Sequence, residues 1–312
     1  LRVHENIKHS GEILFIDSSG NVDRQGHRVF LLLTHSCAGG LPLGILVTTS
    51  ESADTITEAL QLYNTLLDGS AFFGRGPQSG PNIVVTDDSL AERQALSLVY
   101  PHAQLFLCIF HVLQAFWRYL WDSKNGVLKD HRQHVFSQLK SMIYAETEHD
   151  LEMLYQTVSK DEVLMRYEKV RKHMEELYSR RSLWALCYRR AVLMRDNITN
   201  NYAESAMRIL KDQIMERTKA FNLLQLLDFV TSRLESYYER RIIDICNNRF
   251  DRVQKSRFLS KSCDHTGIDP SMVIQIPESQ VFLVPSAKNP SKTYVVHAEV
   301  GVCSCKVGRT GE

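Results

Sequence analysis

Apolar residues in the first 128 positions fall into short runs that are typical of strands, with segments of helical spacing between them. Turn-forming glycines separate the first three runs, which favours an antiparallel meander. Helical segments come before each of the two later runs. The pattern predicts strands at 12–17, 29–35, 43–48, 82–86 and 104–109, and helices at about 53–67, 90–99 and 111–121.

The order of these elements predicts how the strands pair. Because a crossover between parallel strands is right-handed, the fourth strand can return beside the free edge of the first. Three antiparallel strands followed by two crossover strands resemble an RNase H-like fold, an α/β fold with a five-stranded mixed sheet and flanking helices. The alternative is a doubly wound sheet, but no glycine-rich phosphate loop follows any predicted strand.

The pattern changes after residue 128, and it divides the chain into four parts. Apolar residues recur at helical spacing from 129 to 196, and again at 201–218 and 222–247. After 253, short apolar runs alternate with prolines, which indicates a small β-rich segment. We therefore expect the first part of the core at 1–128, an all-α insertion at 129–196, helices completing the core at 197–252, and the β-rich segment at 253–312.

Composition sets broad limits on the class of protein. With 312 residues, 44% of them hydrophobic, the chain can bury a full core, and no apolar run reaches the roughly 18 residues that span a bilayer. The seven cysteines are an odd number, which favours a reducing, intracellular compartment over a disulfide framework. The N-terminus has no initiator Met and no signal-peptide pattern, and both ends look cut from a longer protein.

A net charge of +1 hides an uneven distribution of charge along the chain. Residues 129–262 carry 25 Lys and Arg residues against 19 Asp and Glu residues, a local net charge of +6. This surplus predicts contacts with a phosphate backbone, although a solvated helix face with intermixed Glu explains it as well. The densest stretch contains Lys169, Arg171, Lys172, Arg180, Arg181, Arg189, Arg190 and Arg195, and Arg208 and Lys211 follow on a later helix.

Three carboxylates stand where a strand ends or a helix begins. Asp17 closes the first strand, Asp87 closes the fourth, and Glu204 follows an Asn pair before a later helix. If the three converge, they can hold two Mg²⁺ or Mn²⁺ ions about 3.5–4 Å apart, as in two-metal phosphodiester chemistry. Asp17 also has a structural interpretation, because Asp is favoured at the end of a strand ahead of a Ser-Ser-Gly turn.

Structural interpretations exist for the other two carboxylates too. Because side chains alternate along a strand, only one of Asp87 and Asp88 can face Asp17, and Asp88 can instead cap the next helix. With Asn201 as the N-cap, Glu204 becomes the third helical residue of a capping-box-like pair. Glu204 could also pair with the arginine four residues later.

Four motifs around these residues resemble those of the Mutator-like transposases. They are Phe15-Ile16-Asp17-Ser18-Ser19, Val84-Val85-Thr86-Asp87-Asp88, Tyr100-Pro101-His102-Ala103 leading into Cys108-Ile109-Phe110-His111-Val112, and Asn200-Asn201-Tyr202-Ala203-Glu204-Ser205. The match covers roughly residues 10–250. It implies an RNase H-like catalytic domain interrupted by a helical insertion, with Asp17, Asp87 and Glu204 as the acidic triad.

The same resemblance implies further residues near the active site. Cys108 and His111 match the family's Cys-x-x-His element, and Asp88 and Asn201 adjoin the triad. From the residues alone, Cys108 is equally a small buried hydrophobe at a strand end, and one Cys-x-x-His pair does not define a zinc site.

The tail resembles a different module. Tyr294-Val295-Val296-His297 followed by Cys303-Ser304-Cys305 looks like the opening half of a SWIM-type zinc module, whose second half would supply Cys-x-His further on. Cys303 and Cys305 supply two of the four ligands that a tetrahedral Zn²⁺ site needs, so zinc binding is expected only where the second half is present. Cys263 and His265 have the one-residue gap of the Cys-x-His pair, but they come before Cys303 and Cys305 in the chain instead of after them.

Together these patterns predict a DDE-type transposase that cleaves DNA strands and transfers them. The expected partners are DNA, as transposon ends and target, and a second copy of the chain; no membrane partner is expected, and the substrate implies a nuclear location. Aromatic residues that could stack on unpaired bases, or simply pack in the core, are Trp117, Tyr119, Trp121 and Trp184. The alternatives are a domesticated, non-catalytic nuclear protein that keeps the transposase scaffold, and a helical interaction protein with an unrelated α/β core.

Overall fold

A computed structural model describes residues 7–8, 12–36, 39–190, 192–195, 197–247, 268–277, 279–286, 289, 291–298 and 302–305. The chain divides into two compact units. The first is formed by Leu1–Phe106 and Thr199–Leu259, and the second by Leu107–Ile198 and Ser260–Glu312. Within the described ranges, no helix is long and apolar enough to cross a membrane.

The first unit is built on a five-stranded mixed sheet. Its strands are β1 Ile13–Ser19, β2 Arg28–Ser36, β3 Gly39–Thr48, β4 Ile83–Thr86 and β5 Gln104–Leu107, in the order β3-β2-β1-β4-β5. Neighbouring pairs among β1, β2 and β3 are antiparallel, whereas β1 and β4 are parallel. The predicted α/β class, and the predicted return of the fourth strand to the free edge of the first, are therefore confirmed.

Helices flank this sheet and make up most of the second unit. In chain order they are α1 Ala53–Thr65, α2 Ala71–Gly74, α3 Gly76–Ser79, α4 Leu90–Val99, α5 Ile109–Trp121, α6 Lys129–Ile143, α7 Glu148–Val158, α8 Glu168–Ser179, α9 Asn201–Arg208, α10 Leu223–Asp228 and α11 Leu234–Cys246. π-Helical turns follow α9 at Ile209–Ile214 and α10 at Phe229–Arg233. Short 3-10 turns lie at Ser123–Asn125, Leu164–Arg166, Arg181–Leu183, Leu186–Arg189 and Pro270–Met272.

One face of the sheet packs against α1 and α4. Alternate residues of β1, Leu14 and Ile16, share a core with buried residues of both helices. On α1, the side chain of Tyr63 lies against Gly44, where an added Cβ would come within 2.5 Å of its ring. The Tyr63 hydroxyl donates to the carbonyl of Leu43 at 2.8 Å, so the glycine and this bond fix the helix against β3.

The second unit has its own helical core. α5 to α8 pack around buried apolar residues, among them Trp184, whose indole N–H donates to the carbonyl of Leu177 at 2.9 Å.

The predicted small β-rich segment is present as an antiparallel sheet in the order β6-β7-β8-β9. Its strands are β6 Ile274–Gln275, β7 Val281–Pro285, β8 Thr293–His297 and β9 Val302–Cys303.

Candidate active site

Asp17 lies in β1, and Asp87 directly follows β4, the parallel strand beside it. The last paired residues of the two strands are Phe15 and Val85, two positions before Asp17 and Asp87. Side chains two residues apart share a face of a strand, so Asp17 is on the side of β1 that carries Phe15. Both carboxylates are half-buried.

Helix α9 covers this side of the sheet. The ring of Tyr202 meets the ring of Phe15 edge-on, with 5.3 Å between centroids, and its hydroxyl lies 2.7 Å from Nδ1 of His35 on β2. Just before the helix, the buried Asn200 side chain donates from Nδ2 to the carbonyl of Ile16 at 2.8 Å. These contacts fix the start of α9 beside the residue that precedes Asp17.

Glu204 lies one helical turn beyond this anchor. Its backbone N–H donates to the carbonyl of Asn200 at 3.0 Å, and residues four apart lie on the same side of a helix. Glu204 is half-buried. The structure thus brings Asp17 and Asp87 together and places Glu204 on the helix that covers their face.

The capping-box interpretation of Glu204 is wrong. The N-cap of α9 is Asn200 rather than Asn201, so Glu204 is the fourth helical residue and not the third. The Asn200 side chain makes no capping bond, because it is used to hold the helix to β1.

Asp88 does not cap the helix that follows it, contrary to the sequence interpretation. The N-cap of α4 is Ser89, whose side chain accepts from the backbone N–H of Glu92 at 3.4 Å. One carboxylate oxygen of Asp88 lies 3.5 Å from the Arg93 guanidinium. Asp87 is therefore the residue of this pair that continues the β4 register beside Asp17.

Sequence reasoning missed a third acidic group at these strand ends, Glu92 on α4. Its side chain is buried and accepts a 2.5 Å hydrogen bond from the hydroxyl of Thr86. Burial is the main cause that raises the pKa of Glu92 to about 7, and the negative charges of Asp87 and Asp17 raise it further.

Glu92 contacts the end of β4 from the face of the sheet on which α4 packs. Thr86, which donates to Glu92, immediately precedes Asp87. A signal for its burial exists in the sequence, because Glu92 shares one helical stripe with Ala95 and Leu96, both of which are buried. A carboxyl on an apolar stripe is the feature that would have identified it.

Cys108 and His111 lie at the start of α5, in the second unit. Cys108 is fully buried as the N-cap residue, and His111 is half-buried in the first turn. Burial agrees with the reading of Cys108 as a small hydrophobe. A role for the pair beside the active site stays a prediction.

The basic residues predicted to face phosphate differ in their contacts and in their exposure. On α8, Arg171 lies 3.8 Å from Glu175, and Lys172 lies 2.8 Å from Glu168, so both pair with acids on their own helix. The Arg181 guanidinium lies 4.6 Å above the ring of Tyr178. Arg180 is half-buried, whereas Arg208 and Lys211 in the first unit are exposed.

Arg189 and Trp184 are buried and do not face solvent. The Arg189 guanidinium donates to the carbonyls of Leu107, Leu183 and Ile198, and 4% of the residue is exposed. Its assignment to a phosphate-facing stretch is therefore wrong. The same holds for Trp184 as a residue that stacks on bases, since it is fully buried in the helical core.

The two cysteines of the tail lie at the end of the second sheet. Cys303 on β9 pairs with Val296 on β8, and the backbone N–H of Cys305 donates to the Cys303 sulfur at 3.3 Å. Neither forms a disulfide within the part of the chain that the structure describes. Zinc binding by these two residues stays a prediction, and Cys263 and His265 lie outside the described residues.

No protein-family model matches the sequence, and no curated protein matches it.

Proposed function

We propose that this chain cleaves DNA strands and transfers them, by a transposase-like reaction at Asp17, Asp87 and Glu204. The observation that supports this most directly is the parallel pairing of β1 with β4, since Asp17 and Asp87 each come two residues after the paired Phe15 and Val85. A third acid, Glu204, lies on the helix that covers the Phe15 side of β1. Carboxylates held on neighbouring strands and one covering helix are suited to phosphodiester chemistry with divalent ions.

The side chains fit Mg²⁺ or Mn²⁺ as the ions of the site. Hard divalent cations prefer carboxylate oxygens, and Asp17 and Asp87 offer them from strands about 4.8 Å apart. When bound, such ions activate the attacking oxygen and stabilise the leaving oxygen.

The protein contributes the fixed positions of these groups. The pairing of β1 with β4 fixes the two strands that lead to Asp17 and Asp87, while the bond from Asn200 to Ile16 holds the first turn of α9. Ligands on strands and helices are held more accurately than ligands on loops. Water, and then a DNA 3′-hydroxyl, would be positioned for in-line attack with little rearrangement of the site.

Cleavage of DNA tests the proposal. We expect purified protein to nick supercoiled plasmid when Mg²⁺ or Mn²⁺ is added, and Asp17→Asn, Asp87→Asn or Glu204→Gln to lower the rate by more than about a hundredfold, since loss of supporting groups alone costs about 10–100-fold. Asp54→Asn, an exposed acid in the first turn of α1, is the matched control and should nick normally.

Three results would contradict parts of this proposal. Normal nicking by all three variants would exclude the triad, and loss of folding in Asp17→Asn would give Asp17 a structural role. A wild-type protein that binds DNA but nicks with neither ion would instead support the non-catalytic scaffold. The same proposal includes four further points. The partners are DNA ends, the protein forms a homo-oligomer, it is located in the nucleus, and its tail binds Zn²⁺ where the second half of the zinc module is present.

A further inference from the structure

A polar pocket of about 310 Å³ opens in the first unit beyond the end of β1. Residues Gly20–Val22, which follow β1, line one side, and residues between 211 and 219 line the other. Lys211, Arg217 and Lys219 bring three positive charges to the pocket, and Asp212 brings one negative charge, so the local net charge is +2. Arg217 Nε lies 3.1 Å from Asp212 Oδ1, and the Lys219 ammonium donates to the side-chain oxygen of Asn21. We call this site the basic pocket.

The backbone around the basic pocket is held in an unusual conformation. Glu216 and Arg217 have φ angles of +52° and +59°, and Asn21 on the opposite side has +63°. Non-glycine residues adopt this region at an energetic cost, and such residues concentrate at ligand sites. The π-helical turn Ile209–Ile214, directly before the loop, is another feature frequent at functional sites.

Hydrogen bonds keep this loop ordered. The N–H of Arg217 donates to the carbonyl of Lys211 at 2.7 Å. The N–H of Ala220 donates to the carbonyl of Val22 at 2.9 Å, and the N–H of Arg24 donates to the carbonyl of Ala220 at 3.0 Å. The backbone that carries the cations is therefore in place before any ligand binds, which lowers the entropy cost of binding.

The basic pocket lies close to the candidate active site along both chain segments. Gly20 comes three residues after Asp17, a distance of at most about 10 Å along an extended chain. On the helical side, Arg208 follows Glu204 by four residues, the spacing of neighbours on one side of an α-helix, and Lys211 follows in the π-helical turn. Arg208 and Lys211 are exposed, so cations lead from Glu204 towards the pocket.

We propose that the basic pocket binds a backbone phosphate of the DNA strand that is cut at Asp17 and Asp87. This inference rests on the proposed function for the identity of the ligand. Phosphates of one strand follow each other every 3.4 Å along the duplex axis, so about 10 Å corresponds to roughly three nucleotides. A phosphate held there would fix the position of the strand relative to the carboxylates without reading its sequence.

The test measures DNA binding without divalent ions, so that it is independent of cleavage. Binding of a fluorescein-labelled duplex is followed by anisotropy in EDTA at several NaCl concentrations. The variant Lys211→Gln/Arg217→Gln/Lys219→Gln should weaken binding about tenfold to a hundredfold near 0.1 M salt. It should also lower the slope of log affinity against log salt by roughly 0.7–0.9, the change expected for one lost phosphate contact.

Two controls separate the pocket from general charge effects. Lys140→Gln/Lys160→Gln/Arg166→Gln removes three exposed cations from the second unit and should leave the slope nearly unchanged. Lys211→Arg/Lys219→Arg keeps the charge and should bind as the wild type does. An unchanged slope in the pocket variant, or an equal drop in the second-unit control, would overturn the proposal.

A third arm distinguishes DNA from a free phosphate. Inorganic phosphate at constant ionic strength should compete only weakly with the duplex; if the pocket variant loses phosphate binding but keeps DNA binding, the pocket serves a small anion and the proposal is wrong. Nicking is assayed separately. Loss of nicking in Asp17→Asn with normal DNA binding supports both proposals, whereas pocket-dependent binding by a wild type that never nicks removes only the proposed function.

Discussion

Each unit of the molecule buries a charged side chain, and the two are satisfied in different ways. In the second unit, Arg189 donates to three backbone carbonyls, and burial lowers its pKa to about 10, so it stays charged at neutral pH. In the first unit, burial and two neighbouring carboxylates raise the pKa of Glu92 to about 7. Burial opposes the charged form of both side chains, but the ordinary pKa of an arginine is so high that Arg189 stays charged, whereas Glu92 titrates near neutral pH.

This difference separates a structural charge from a group at a candidate site. Backbone carbonyls supply Arg189 with the partners that a buried cation needs, and it joins residues far apart in the chain. The negative charges of Asp87 and Asp17 lie close enough to Glu92 to raise its pKa. Perturbed pKa values cluster at functional sites, although structural networks also produce them.

The largest effect should follow from removing the buried cation. Arg189→Met leaves the carbonyls of Leu107, Leu183 and Ile198 without these donors, so we expect the free energy of unfolding to fall by about 3 kcal/mol. Urea denaturation at pH 7 measures the change.

Arg190 provides the matched control for this change. It is half-buried and lies 3.6 Å from the exposed carboxylate of Glu146. Arg190→Met should cost less than about 1 kcal/mol, as is usual for surface ion pairs. If the two variants lose equal stability, the bonds of Arg189 to the carbonyls are not what holds this part of the unit.

A smaller effect, of opposite sign, is expected at Glu92. Its folded pKa lies above the unfolded value of 4.5, so the folded protein binds more protons between about pH 4.5 and 7, and stability falls as pH rises through this range. Glu92→Gln removes the charge and should raise the free energy of unfolding by about 2 kcal/mol at pH 8 but hardly at pH 4. Urea midpoints at both pH values measure the difference.

The exposed Glu58 on α1 is the control for this experiment. Glu58→Gln should change stability by less than about 0.5 kcal/mol at either pH. A Glu92→Gln variant that is destabilised equally at pH 4 and pH 8 would mean that the hydrogen bond from Thr86 matters more than the buried charge.

Sequence patterns predicted the sheet and two of its carboxylates for a simple physical reason. The apolar runs before Asp17 and Asp87 are short, uninterrupted and followed by polar residues, so both strands and their ends are visible in the chain. The right-handed crossover then brings the two strands together. Local patterning and one rule of topology were sufficient for this part of the site.

Sequence patterns failed where tertiary contacts decide the role of a residue. Ser89 and Glu92 have the spacing of a capping box, which favours an exposed acid, yet the carboxyl turns inward to Thr86. Arg189 sits within a run of cations, and no local pattern reveals that it donates to the carbonyl of Leu107, 82 residues away in the chain, as well as to two nearer carbonyls. The N-cap of α9 is Asn200 and not the expected Asn201, because the Asn200 side chain bonds to β1.

The smallest effect concerns Asp23, a second buried acid of the first unit whose pKa moves the other way. Burial alone would raise the pKa of Asp23, but bonds from the His27 ring, at 2.5 Å, and from its backbone N–H hold it below 3.8. Asp23 therefore stabilises the fold above this value, and its contribution is lost as pH falls through the lowered pKa. Asp23→Asn should cost about 1 kcal/mol at pH 7 and progressively less towards pH 3, as measured by urea denaturation. A double-mutant cycle with His27→Gln should show coupling at pH 7. Strictly additive losses of stability would mean that Asp23 and His27 do not stabilise the fold through each other.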